Sequence, residues 1–120
     1  MPYNVTVNRE YEFVHLVYSG NVDLAERKEA RDRVFELRAQ HGLKRSLVET
    51  QNSSMGLTTN DIIKFAKTFP TDLPPRYHVA VVVAQGDKVD TLLENLASTA
   101  GLTIKAFFDR ADAIRWLTAF

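Results

Sequence analysis

Apolar and polar residues alternate from Tyr3 to Val7, which predicts a short strand. Asn8-Arg9-Glu10 reads as a turn. Tyr11–Tyr18 carries apolar residues on both faces, so it is expected inside a sheet, forming an antiparallel hairpin with the first strand. After Gly20 the period lengthens to that of a helix. Asp23 is placed to cap it, with Glu26 three residues on as the capping-box partner. Leu24, Val34 and Leu37 face inward, while Glu26, Arg27, Glu29, Arg33 and Glu36 form a solvated face. Within that face Asp23–Arg27 and Glu29–Arg33 have the i,i+4 spacing of stabilising ion pairs. Gly42 stops the helix.

Arg45–Thr50 predicts a third strand and Gln51–Gly56 a polar loop. Thr58 with Asp61 opens a second helix, with Ile62, Phe65, Ala66 and Phe69 on one stripe. Pro70, Pro74 and Pro75 enforce a break. The β-branched run Tyr77–Ala84 suits a central parallel strand buried on both faces. Asp87 and Asp90 begin a third helix with Val89, Leu92, Leu93, Leu96 and Ala100 inward, and Gly101 ends it. Leu102–Phe108 is the last strand. Asp109 with Asp112 opens a terminal helix that turns Ala113, Ile114 and Leu117 inward.

The predicted order is β-β-α-β-α-β-α-β-α. It implies an α/β fold, with a mixed five-stranded sheet of mostly parallel strands covered by helices and the first strand as an antiparallel edge. A length of 120 residues, with 45% of them hydrophobic, suits a single domain over 1–120.

Charge and cysteine content narrow the function classes. Fifteen Lys and Arg balance fifteen Asp and Glu, so the basic excess of a nucleic-acid binder is missing and no nucleic-acid partner is expected. Absence of cysteine removes disulfides, thiolate nucleophiles and thiolate metal sites, and fits a reducing compartment. Met1-Pro2-Tyr3-Asn4 lacks the pattern of a signal peptide, and the apolar run Val79–Ala84 is far too short for a membrane span. These features lead to the expectation of a cytoplasmic protein without membrane insertion.

The segments Tyr18-Ser19-Gly20, Gly42-Leu43-Lys44-Arg45, Gly56-Leu57-Thr58-Thr59-Asn60-Asp61-Ile62, Phe107-Phe108-Asp109 and Ala113-Ile114-Arg115-Trp116-Leu117 together resemble the STAS domain superfamily, and within it the SpoIIAA-like branch of uncharacterised small proteins. The resemblance implies the same fold and a non-catalytic binding or regulatory role of unknown biochemical activity; the anti-sigma-factor antagonists of this family carry a phosphorylatable Ser at the start of the second helix. The matching loop here reads Asn52-Ser53-Ser54-Met55-Gly56, with Asn in place of the usual acidic residue and Met55 interposed before the glycine.

Other chemistry finds little footing. His15, His41 and His78 are dispersed without ligand spacing, so no metal site is expected. No G-x-S-x-G elbow, dinucleotide fingerprint or phosphate loop occurs, so neither enzymatic activity nor a cofactor is expected. Asp23, Asp87 and Asp109 already put carboxylates at helix N-termini, leaving Thr58 as the neutral cap.

Ligands of open parallel sheets gather beyond the carboxyl ends of the strands. That rim is expected to hold Ser19-Gly20, Gln51–Ser54, Gln85-Gly86 and Asp109-Arg110. Asn52, Ser53, Ser54, Met55, Gly56 and Thr58 form the candidate partner or phosphorylation loop. Its short polar side chains bury nothing, so it is either a neutral connector or an interaction site. A protein partner is the first expectation. The alternative is a small apolar ligand, held by Met55, Phe65, Phe69, Phe107, Phe108 and Trp116 if these line a pocket instead of packing as core.

Overall fold

A computed structural model describes residues 2–54, 58–68, 77–84 and 102–119. In chain order its elements are β1 (Tyr3–Asn8), β2 (Phe13–Tyr18), β3 (Gly20–Asn21), α1 (Leu24–His41), β4 (Arg45–Glu49), β5 (Ser53–Ser54), α2 (Thr59–Lys67), β6 (Tyr77–Val82), β7 (Leu102–Phe107) and α3 (Arg110–Leu117). The helix expected after Asp87, the breaks at Pro70, Pro74 and Pro75, the rim turn Gln85-Gly86, and Met55, Gly56, Leu57 and Phe69 lie outside the described residues. So do the side chains of Ile62 and Ala66.

Five strands form one mixed sheet in the order β1-β2-β4-β6-β7. β1 pairs antiparallel with β2 at the edge, and β2, β4, β6 and β7 run parallel. The architecture is therefore the α/β sheet that the alternation of periods predicts. Two positions differ. The middle strand is Arg45–Glu49, and Tyr77–Val82 lies one place outward, between β4 and β7. A β-branched run shows that a strand has neighbours on both sides, and it does not say which inner strand is the middle one. β2 also begins two residues late, at Phe13. Asn8 Oδ1 accepts the Tyr11 amide at 2.9 Å, and Glu12 takes φ 57°, so the turn extends to Glu12 and leaves Tyr11 exposed.

Strand alternation sorts the core onto two faces. On one, α1 covers Val14, Leu16 and Tyr18 with Val22, Ala30 and Val34. Phe65 of α2 extends this face over Tyr77, Val79 and Leu102. On the other, Ala113 and Leu117 of α3 pack on Phe13, Leu47, Ala80 and Val82. The buried side chains of Ser46, Tyr77 and Arg31 find hydrogen-bond partners. Ser46 Oγ and the Tyr77 hydroxyl bond at 2.5 Å, and burial pushes the Tyr77 phenol up to about 12. Arg31, only 8% exposed, donates to the Phe65 carbonyl at 2.8 Å and to Thr68 Oγ1 at 2.6 Å, fastening the end of α2 to α1.

The caps of α1 follow the sequence. The Asp23 carboxylate accepts the Glu26 amide at 2.7 Å, and Glu26 Oε1 accepts the Asp23 amide at 3.1 Å. Gly42 ends the helix at φ 65°, in the left-handed region. Leu24 and Leu37 are half-buried, and Val34 carries more of the packing. Asp23, Glu29 and Arg33, expected in i,i+4 pairs, have other local partners. Asp23 serves the cap, Glu29 accepts the Tyr3 hydroxyl at 2.6 Å, and Arg33 pairs with Glu36 at 2.7 Å. Asp23→Ala is expected to cost about 1 kcal/mol, measured by urea unfolding, because it removes the carboxylate that accepts the Glu26 amide, while the bond from the residue 23 amide to Glu26 remains possible.

Candidate functional site

The carboxyl ends of the parallel strands carry the candidate site, and its centre is Glu49. This residue ends the middle strand and shares its face with Leu47, toward α3. A side chain on that face of an inner strand is buried by geometry, and Glu49 is 1% exposed. A buried carboxylate needs compensation. Three elements supply it. Arg110, at the start of α3, approaches Oε1 with Nε at 2.8 Å and with a terminal guanidinium nitrogen at 2.7 Å. Gln51 Nε2 donates to the same oxygen at 2.7 Å. His15, from β2, pairs through Nε2 with Oε2. An ionised carboxylate only accepts, so His15 Nε2 carries the proton of that bond.

Burial pushes the Glu49 carboxyl up, and the bonds from Gln51, Arg110 and His15 outweigh it, leaving the group below the ordinary glutamate value. It is an ionised, fixed charge that ties β2, β4 and α3 together. Gln51 Oε1, on the same residue that supports Glu49, is a buried acceptor with no partner among the described residues.

Beside this centre the chain builds a ledge. Ser53–Ser54 pairs in parallel with Gly20–Asn21 in a separate two-stranded sheet. The Gly20 amide donates to the Asn52 carbonyl at 3.1 Å, and the Val22 amide donates to the Ser54 carbonyl at 3.0 Å. Ser53 closes a turn on Thr50: its amide and hydroxyl reach the Thr50 carbonyl at 3.0 and 2.8 Å. Thr50 is anchored in turn to the Val82 carbonyl through its amide at 2.9 Å. Gly20 sits at φ 68°, a conformation that favours glycine at this crossing. The described part of the candidate loop, residues 52–54, is therefore hydrogen-bonded into the fold, although Asn52 and Ser54 are exposed. Backbone pairing gives the order that its side chains cannot.

Of the candidate loop residues, Asn52 and Ser54 are exposed on the ledge and Ser53 is half-buried. Thr58 caps α2 as expected, in a reciprocal pair: the Asp61 amide donates to Thr58 Oγ1 at 3.2 Å, and Asp61 Oδ2 accepts the Thr58 amide at 3.1 Å. Asp61 thus occupies the helix start that the neutral cap left open.

The three histidines fall in separate places. His15 joins Glu49, His41 lies in the last turn of α1, and His78 packs edge-on to Trp116 at 5.3 Å. Among the aromatics, Phe65 is core, and Phe107 packs against Trp116 at 5.7 Å. Phe108, expected in the last strand, is 52% exposed, because β7 ends at Phe107 and the chain turns into the Asp109 cap.

Sequence reasoning missed Glu49. Its partners lie 34 and 61 residues away, beyond any spacing rule, apart from Gln51 two residues on. The one usable signal was an acidic residue in phase with the inward Leu47 of an inner strand.

No helix among the described residues is long and apolar enough to cross a membrane. No family model matches the chain, and no curated protein matches it. Among solved structures it is similar to an uncharacterised protein of the DUF3478 family from Shewanella loihica PV-4, described as having a SpoIIAA-like fold. The superposition has a TM-score of 0.57 at 16% identity, and covers 96% of this chain and 91% of that one. The fold, a mixed five-stranded α/β sheet with its first strand antiparallel, is SpoIIAA-like.

Proposed function

We propose that the chain is a non-catalytic binding module that recognises a protein partner through the carboxyl rim of its sheet. The observation that carries this reading is the pairing of Ser53–Ser54 with Gly20–Asn21. It holds an exposed polar ledge in place before any partner arrives, so little conformational entropy remains to be lost on binding. Arg110, 59% exposed while its guanidinium is anchored on Glu49, adds a positioned charge to the same rim. Phosphorylation of Ser53 or Ser54, the regulatory form of this proposal, would add nearly two negative charges there. Asp61 at the start of α2 opposes docking of that phosphate on the helix, so its effect falls on the partner.

The apolar-ligand reading draws less support. Phe65, Phe107 and Trp116 spend their rings on Tyr77, His78 and each other.

The test pairs Ser53→Ala/Ser54→Ala with Ser53→Asp/Ser54→Asp. The first removes one hydroxyl bond to Thr50 and should cost about 1 kcal/mol of stability. Quantitative mass spectrometry of proteins captured from host lysate should show at least one protein retained by the parent and lost with the Asp pair. If both variants fold and keep every protein that the parent captures, the ledge is a connector and the reading fails.

A further inference from the structure

We propose that β1 is a self-pairing edge, through which two copies of this chain join their sheets antiparallel. β1 is the outermost strand, and its six residues pair with β2 in unbroken register from Tyr3 to Asn8. One side of its backbone serves that hairpin. Among the described residues no strand pairs with the other side. Edge strands are ordinarily protected by Lys, Pro, inward charge or a bulge. β1 reads Tyr-Asn-Val-Thr-Val-Asn and contains none of these. The opposite edge, β7, carries the exposed Lys105.

The sequence of β1 selects its own copy as occupant. A two-fold axis at Val5 sets Val5 against Val5 of the second copy, Tyr3 against Val7, and Asn4 against Thr6. Aromatic–β-branched pairs and β-branched pairs are favourable cross-strand neighbours. Asn against Thr pairs polar with polar on the opposite face. No like charges meet, because the strand has none. Pro2, which lacks an amide hydrogen, falls outside the paired segment.

Burial agrees with this register. Tyr3, Val5 and Val7 are half-buried, with Tyr3 and Val5 packed on the core beneath α1. A second β1 extends that apolar stripe across the axis and covers their open flanks. Asn4 and Thr6 are exposed, so their face stays polar in the pair. A single short ladder, Tyr3–Val7 against its copy, gives a weak, concentration-dependent dimer.

The register makes a specific test. N4K/T6K sets lysines opposite one another twice about the axis, and N4K/T6E sets lysine opposite glutamate at the same places. Both sites are exposed, so both variants should keep the parent's melting behaviour. Sedimentation velocity of the full chain over a wide micromolar range should show a monomer–dimer equilibrium. N4K/T6K should weaken it about tenfold or more, and N4K/T6E should restore it. Hydrogen exchange on the parent reads the edge without any variant: the β1 amides outside the hairpin ladder should gain protection as concentration rises. A parent that stays monomeric throughout overturns the proposal. A dimer untouched by N4K/T6K, with those amides unprotected, also overturns it, since the copies then meet elsewhere.

Discussion

Ala80→Asp is expected to abolish folding. Ala80 is fully buried in an inner strand, facing α3 among Leu47, Ala113 and Leu117. The substitution forces extra volume into a close-packed layer, which typically costs about 1–3 kcal/mol. It also sets a carboxylate among apolar side chains, where an unpaired charge is far more costly or stays protonated at several kcal/mol. Together these approach the whole stability of a small domain, about 5–15 kcal/mol. Far-UV circular dichroism and thermal melting should show no cooperative transition for the variant. A melting temperature close to the parent's would mean that this side of β6 is not covered by α3.

The second large effect concerns Glu49. Glu49→Gln is expected to lower stability by about 2 kcal/mol at neutral pH, since it strips the charge from a site where Arg110 and His15 converge on a buried group. The pH dependence follows from the direction of the shift. Folding lowers the Glu49 pKa, so below about 4.3, the ordinary glutamate value, the unfolded chain binds this proton more readily than the folded one. The stabilisation is therefore fully present above that value and is lost as pH falls through the lower folded pKa. The gap in urea midpoint between parent and Gln variant, present at neutral pH, should narrow progressively as pH falls below about 4.3. Arg110→Ala should show a smaller loss, because the Arg110 side chain is 59% exposed and Gln51 and His15 remain. Equal midpoints for parent and Glu49→Gln at neutral pH would mean that the carboxylate contributes nothing.

Much of the fold could be read from the chain because its signals are local. Asp23 and Glu26 are three residues apart, and Gly42 ends its helix in the one conformation that glycine favours. The period change after Gly20 and the β-branched run into β6 are likewise short-range patterns, and they give the order of the described helices and main-sheet strands. What escaped depends on contacts distant in sequence. The rank of β4 as middle strand is decided by two crossovers. Its polar ends, Arg45 and Glu49, made it look less buried than Tyr77–Val82. The ledge joins Gly20 to Asn52 through backbone groups, which leave no trace in side-chain pattern. The rim itself was located by a topological rule about parallel sheets, and the loop before Thr58 by the resemblance. The charged centre between them required His15, Glu49 and Arg110 to be brought together by the fold.

The most direct test of the rim as recognition surface is site-specific photocrosslinking in the native host. A photoreactive residue at position 54 sits on the exposed ledge. The same residue at position 10 sits in the β1–β2 turn, at the amino-terminal end of β2 and away from the rim. The account predicts discrete covalent adducts with another protein from position 54 and none from position 10. Adducts from position 10 with none from position 54 would contradict it.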